Sequence, residues 1–208
     1  ISMDDAAIIE PMCVAYNAVI NNSDIKKDSF SVIFGGGTVA IMCAKMVNHL
    51  SGKVILVCTK YDLPLVKKLK NTKFHKILIY SKDIEKKILK VTKNKGVSLI
   101  VDAVGGVKET FESSIRIVAP GGQITKIGWF LNENKFDLDK LIKKNVRFQG
   151  SFSHNYPIWE KCIKLLSQKK IKINDVITKK LPLKNWKLAF DLSKKRKSIK
   201  ILLDPNND

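Results

Sequence analysis

At 208 residues with 45% hydrophobic side chains, the chain can bury one generous core, or one domain and part of another. No run approaches the roughly 18–20 consecutive apolar residues of a membrane helix, and no charged-then-apolar leader opens the sequence, so a cytoplasmic protein without a membrane partner is expected. The net charge of +19 raises the question of nucleic acid, but the basic residues are nearly all lysine, with only Arg116, Arg147 and Arg196, and they are scattered over every predicted helix. Arginine is the residue that grips phosphates bidentately and reads base edges, so nucleic acid is not the expected partner.

The periodicity predicts a helix over Asp5–Asn21, a strand over Phe30–Phe34 and a helix from Thr38 to Leu50. A strand at Val54–Cys58, a helix at Leu63–Leu69, a strand at Lys76–Tyr80 and a helix at Asp83–Val91 follow. Next come a strand at Val97–Val101 and a helix over Lys108–Val118 closed by Pro120-Gly121-Gly122. A strand at Gln123–Trp129, a helix at Leu138–Lys144 and a strand at Val146–Gln149 complete the alternation. This rhythm means right-handed βαβ units, and hence an α/β, doubly wound, six-stranded parallel Rossmann sheet over residues 29–150. Beyond Gly150 the pattern changes to a helix at Tyr156–Gln168, an extended piece at Asp175–Lys180, a helix at Lys184–Ser193 and a strand at Ser198–Leu203. The cluster Lys194–Lys197 reads as a solvated helix end. Cys13, Cys43, Cys58 and Cys162 each stand in an apolar run with no C-x-x-C pair, as buried hydrophobes do.

Chemistry concentrates where the first strand meets its helix. Gly35-Gly36-Gly37-Thr38-Val39-Ala40 fits G-x-G-x-x-A: Gly35 for the tight turn, Gly37 for close approach of a phosphate, Ala40 where helix meets strand. Such a helix start offers unpaired N–H groups and a positive dipole end to a pyrophosphate, and glycine turns before helices are also common without any ligand. A carboxylate is usual at the end of the second strand, where it holds the ribose 2′-hydroxyl. Here the strand ends Val57-Cys58-Thr59-Lys60, and Asp62 falls slightly late. A neutral strand end followed by Lys60 favours the 2′-phosphate of NADP, unless Lys60 is one more surface lysine.

The segments Ala6–Val19, Val101-Asp102-Ala103-Val104-Gly105, Ala119–Ile124, Gly150-Ser151-Phe152 and Ile199–Pro205, with the glycine turn, resemble the C-terminal portion of zinc-dependent medium-chain alcohol dehydrogenases, in the branch of sorbitol and threonine dehydrogenases. The resemblance implies hydride transfer between NAD(P) and an alcohol or polyol, with zinc as Lewis acid in the intact enzyme. It implies an N-terminal, GroES-like catalytic domain that carries the zinc ligands and is absent from this sequence. A chain that begins Ile1-Ser2-Met3 without an initiator methionine agrees with an N-terminally truncated, inactive fragment. Residues 1–28 would then link the catalytic domain to the Rossmann domain, and residues 151–208 would return to it.

By the same resemblance Gly35, Gly37, Thr38 and Val39 lie under the pyrophosphate, and Ala103 and Val104 flank the cofactor. Asp102 either joins them or caps the following turn. Ile127, Gly128 and Trp129 end the fifth strand where backbone groups hold the nicotinamide carboxamide, unless they form an ordinary strand-end turn. Glu10, ahead of Pro11 in an apolar helix, faces the catalytic zinc as ligand or through its water; otherwise it serves the helix dipole. His154, beside Ser153, is either a general acid or base or a surface or hydrogen-bonding residue of a polar loop. A dimer or tetramer is expected, pairing near Val146–Gln149 and Gln123–Trp129. Two other readings stay open: a zinc-independent quinone or enoyl reductase with the same cofactor domain, and a noncatalytic nucleotide- or nucleic-acid-binding module.

Overall fold

In the computed structural model, which describes residues 1–206, Ser2 caps a short helix α1 (Met3–Ala7), and α2 (Ile9–Tyr16) follows after a break at Ile8. The single helix expected over Asp5–Asn21 is therefore divided. Pro11 has no N–H to donate to the carbonyl of Ala7, and Ile8 leaves the helical region with φ −121° and ψ 11°. The last turn, Asn17–Asn21, widens into a π-helix.

The alternating elements are β1 (Phe30–Phe34), α3 (Thr38–His49), β2 (Lys53–Cys58), α4 (Leu63–Val66), β3 (Lys76–Ile79), α5 (Ile84–Val91), β4 (Val97–Asp102), α6 (Glu109–Ile117), β5 (Val118–Lys126), α7 (Asp139–Ile142) and β6 (Arg147–Gly150). The six strands form one parallel sheet in the order β3-β2-β1-β4-β5-β6. Its strands are apolar on both faces because both faces are covered. Ile33, Leu56, Leu99 and Val101 point into one core with Met12, Met42 and Met46. Val32, Phe34, Ile55 and Ile100 point into the other with Ile88, Phe111 and Ile115.

Two boundaries differ from expectation. Pro120-Gly121-Gly122 lies within β5, where the register with β4 shifts and Gly121 takes φ +68°, so glycine accommodates a bulge where a helix stop was expected. The strand then ends at Lys126, three residues before Trp129.

After β6, α8 (Tyr156–Ser167) packs on α2, burying Ile158, Cys162 and Leu166 in the first core together with Ile171, Ile173 and Val176. The buried ammonium of Lys45 on α3 meets Asp175 at 2.7 Å, and the other carboxylate oxygen of Asp175 accepts from the N–H groups of Lys70 and Asn71. A separate parallel pair, β7 (Ile177–Pro182) and β8 (Lys200–Asp204), is joined by α9 (Trp186–Lys194). Trp186, Leu188 and Phe190 of α9 stand exposed. The last two residues of the segment predicted over 151–208 lie outside the described residues. All four cysteines are buried thiols. Burial pushes Cys58 up to about 11 and Cys43 higher still. Cys13 and Cys162 hydrogen-bond to each other across α2 and α8, which lowers the first thiol's pKa and raises the second's.

Candidate dinucleotide site

Strand order reverses between β1 and β4, and in open parallel sheets the crevice at such a switch point takes the ligand. A cavity of about 660 Å³ occupies it, walled by Phe34–Gly37, by Val57–Thr59 and Asp62, by Ala103–Gly105, and by Ser193, Arg196, Ser198 and Ile199 from the chain's last segment. Each glycine of the turn has a distinct reason. Gly35 takes φ +123°, its N–H donates to the Val57 carbonyl, and a Cβ there would stand 3.1 Å from that of Ala40. At Gly36 a Cβ would collide with Asp62 at 2.5 Å. Gly37 faces open space, with no atom within 4 Å of a Cβ, and it forms the N-cap of α3 without any side-chain cap. The first N–H groups of a 12-residue helix thus open onto the cavity. Thr38 turns its hydroxyl away from it, donating to the Ile199 carbonyl at 3.0 Å, and so ties the last segment to the turn.

The second strand does end at a carboxylate. Asp62 folds back over Thr59, its Oδ2 accepting from the Thr59 N–H at 3.2 Å and the Thr59 hydroxyl at 2.6 Å. Spacing along the chain hid this, because the turn at Thr59–Asp62 brings the late residue to the strand end. Arg196 reaches the same oxygen at 3.3 Å and is thus part of the cavity wall, whereas the sequence reading left it in a solvated lysine cluster. Lys60 is exposed, its ammonium 5.2 Å from the Tyr61 ring centroid, and does not line the cavity.

Asp102 is wholly buried and does not face the cavity as a ligand. It accepts from the Lys126 ammonium at 2.8 Å, from the Thr110 hydroxyl and from the Val104 N–H. It is therefore the cap of the turn that carries Ala103 and Val104. Burial raises its carboxyl above the ordinary aspartate value, against the opposing pull of Lys126. Lys126 also donates to the Val104 carbonyl, and its ammonium sits 4.6 Å from the centre of the Phe130 ring. The sequence reading missed Lys126: its position at the end of β5 was the only signal.

Ile127, Gly128 and Trp129 follow β5 over the same carboxyl edge. The N–H groups of Ile127 and Gly128 both donate to the Asp102 carbonyl. The close approach at Gly128 is to protein, since a Cβ would fall 2.1 Å from the Val104 carbonyl oxygen. Trp129 is exposed and tilts against Phe152 with ring centres 5.6 Å apart.

Glu10 and His154, 144 residues apart, come together at 3.3 Å between Oε1 and Nε2. The Trp159 indole N–H donates to His154 Nδ1 at 3.0 Å. An indole can only donate, so Nδ1 is the acceptor and Nε2 carries the proton that Glu10 accepts. Glu10 itself is exposed, with 59% of its side chain accessible. Among the described residues no group of three or more His, Cys, Asp or Glu side chains could hold a metal ion. Glu10 and His154 are two groups, bonded to each other, and a tight zinc site takes at least three protein ligands. The described residues do not form a zinc site on their own.

A parallel sheet in this order, with a glycine turn opening on its carboxyl edge, defines a doubly wound fold of the dinucleotide-binding class. Residues 35–168 match the model of the zinc-binding dehydrogenase family, and the chain belongs to that family. It is 28% identical over 99% of its length to D-arabitol-phosphate dehydrogenase of Enterococcus avium and 27% identical over 96% to sorbitol dehydrogenase of Halalkalibacterium halodurans. It spans 59% and 58% of these curated relatives. A solved Escherichia coli CFT073 enzyme, described as a short chain alcohol dehydrogenase in complex with NADH, superposes with a TM-score of 0.85 at 18% identity, covering 98% of this chain and 60% of that one.

Proposed function

We propose that the chain is the cofactor-holding part of an NAD(P)-dependent alcohol or polyol oxidoreductase. The observation that carries this reading is the start of α3 at Gly37, which has no side-chain cap and opens onto a cavity at the sheet's switch point. The backbone N–H groups there, with Gly35, Thr38 and Val39 shaping the turn, would hold the pyrophosphate. Ala103 and Val104, fixed by Asp102, would flank the cofactor, and the turn at Ile127–Trp129 would lie along the nicotinamide. When bound, the nicotinamide takes up or gives a hydride. His154, whose ring is held by Trp159 and Glu10, would be this chain's candidate for moving the accompanying proton, passing it along its bond to Glu10. Glu10 would serve a metal only with ligands from outside these residues, so no step is routed through zinc.

The division into a linking segment 1–28, a Rossmann domain 29–150 and a returning segment 151–208 belongs to the same proposal. So does pairing of two copies through β6, the edge strand, which exposes Phe148. No helix among the described residues is long and apolar enough to cross a membrane, and four buried thiols suit a cytoplasmic location. Calorimetric titration with NADH and with NADPH tests the reading: saturable binding of either is expected, and binding of neither overturns it.

A further inference from the structure

Arg196 stands two residues beyond α9 with φ +52°, and this turn directs its guanidinium at the end of β2. There one Nη shares Asp62 Oδ2 with both donors of Thr59. Three donors converge on a single carboxylate oxygen, so the negative charge that would repel a phosphate is already partly compensated. The guanidinium has five N–H donors in a planar fork, and with its side chain 57% exposed most of them stay open to a ligand. The end of β2 is where the adenosine ribose of a bound dinucleotide lies, and the groups that read its 2′ substituent stand there. A 2′-phosphate can take a bidentate hold on arginine that a 2′-hydroxyl cannot. The charged side chains on the cavity wall are Asp62, Glu109 and Arg196; Glu109 opens α6 on the β4 side.

We infer that Arg196, delivered by the last segment of the chain, is the residue that reads the cofactor's 2′ position, and that it selects the 2′-phosphate of NADP in competition with Asp62. This rests on the cofactor reading above and moves the phosphate contact from Lys60 to Arg196. Because Thr38 and Asp62 both hold that segment against the sheet, phosphate recognition depends on the segment being docked.

The test is titration of the 208-residue chain, and of its Arg196→Ala and Arg196→Lys variants, with NADPH and NADH, and with adenosine 2′,5′-bisphosphate against ADP. Charge-assisted hydrogen bonds of this kind predict that Arg196→Ala lowers the NADPH-to-NADH affinity ratio about tenfold or more, with Arg196→Lys between. Asp62→Asn should raise the ratio, since it removes the competitor. Unchanged thermal unfolding shows that the variants are folded. Dinucleotide binding with a ratio that stays within about threefold in Arg196→Ala overturns this inference alone. Failure of both dinucleotides to bind the parent chain overturns the cofactor reading and this inference with it.

Discussion

Lys126 and Asp102 end adjacent parallel strands, and their side chains meet at 2.8 Å with both buried. Together with Thr110 and the Val104 N–H, this pair fixes the turn that walls the dinucleotide cavity.

Replacing Lys126 by Met should leave Asp102 buried without a counter-ion and cost about 3–5 kcal/mol of stability at pH 7. The sign with pH follows from burial, which raises the native carboxyl above its unfolded value. A native state that binds a proton more tightly than the unfolded chain loses stability as pH rises through that window. Removing Lys126 raises the native value further, so the deficit of the variant against the parent should shrink as pH falls toward 4. Urea denaturation of both proteins at pH 4.5 and 7 measures this, and a deficit independent of pH would contradict it.

Gly37 and Gly128 make opposite predictions. Gly37→Asp meets open space at an extended N-cap position, so stability should hold or rise by a few tenths of a kcal/mol. The new carboxylate at the helix start should nevertheless weaken dinucleotide binding more than about tenfold by repulsion. Gly128→Ala would place its Cβ 2.1 Å from the Val104 carbonyl oxygen and should destabilise the fold by about 1–3 kcal/mol. Thermal unfolding and calorimetry separate the two effects.

Trp159→Phe removes the indole N–H that donates to His154 Nδ1. The parent should show the Nε2–H tautomer of His154 in ¹⁵N spectra, and the variant a mixture of tautomers. The stability loss should be about 1 kcal/mol, the net worth of one hydrogen bond. A parent with Nδ1 protonated would contradict the orientation argued for the Glu10–His154 pair.

Asp175→Ala deprives Lys45 of its counter-ion and leaves its ammonium the Asn71 carbonyl at 3.3 Å; the Lys45 side chain is 1% exposed and burial already lowers its pKa. The expected cost is about 3–5 kcal/mol. Lys45→Met added to Asp175→Ala should recover a large part of it, a coupling that a double-mutant cycle in chemical denaturation reads directly.

The parallel sheet was legible because local patterns encode it. The β-branched runs of β1, β2 and β4 are apolar on successive residues, which only strands covered on both faces require, and the glycine turn declares its conformation through Gly35. The divided first helix was legible only in part, since Pro11 marks a missing N–H but not how the chain absorbs it. Of the residues that wall the cavity, Gly35 and Gly37 could be picked from the glycine motif because backbone freedom makes the turn, whereas Ala103 and Val104 came from the family resemblance.

The alternation of strands and helices and the glycine turn could be read from the chain alone, since each rests on periodicity or backbone freedom over a few neighbouring residues. The strand order that sets the switch point comes instead from the pairing of distant strands. Tertiary structure decided the charged partners: Asp102 with Lys126, Asp175 with Lys45, Glu10 with His154, and Asp62 with Arg196. These pairs join residues 24, 130, 144 and 134 positions apart. In a chain so rich in lysine no local pattern distinguishes a buried cation from a solvated one. Only the packing of α8 on α2, the pairing of β4 with β5 and the docking of the last segment on the glycine turn bring opposite charges within reach.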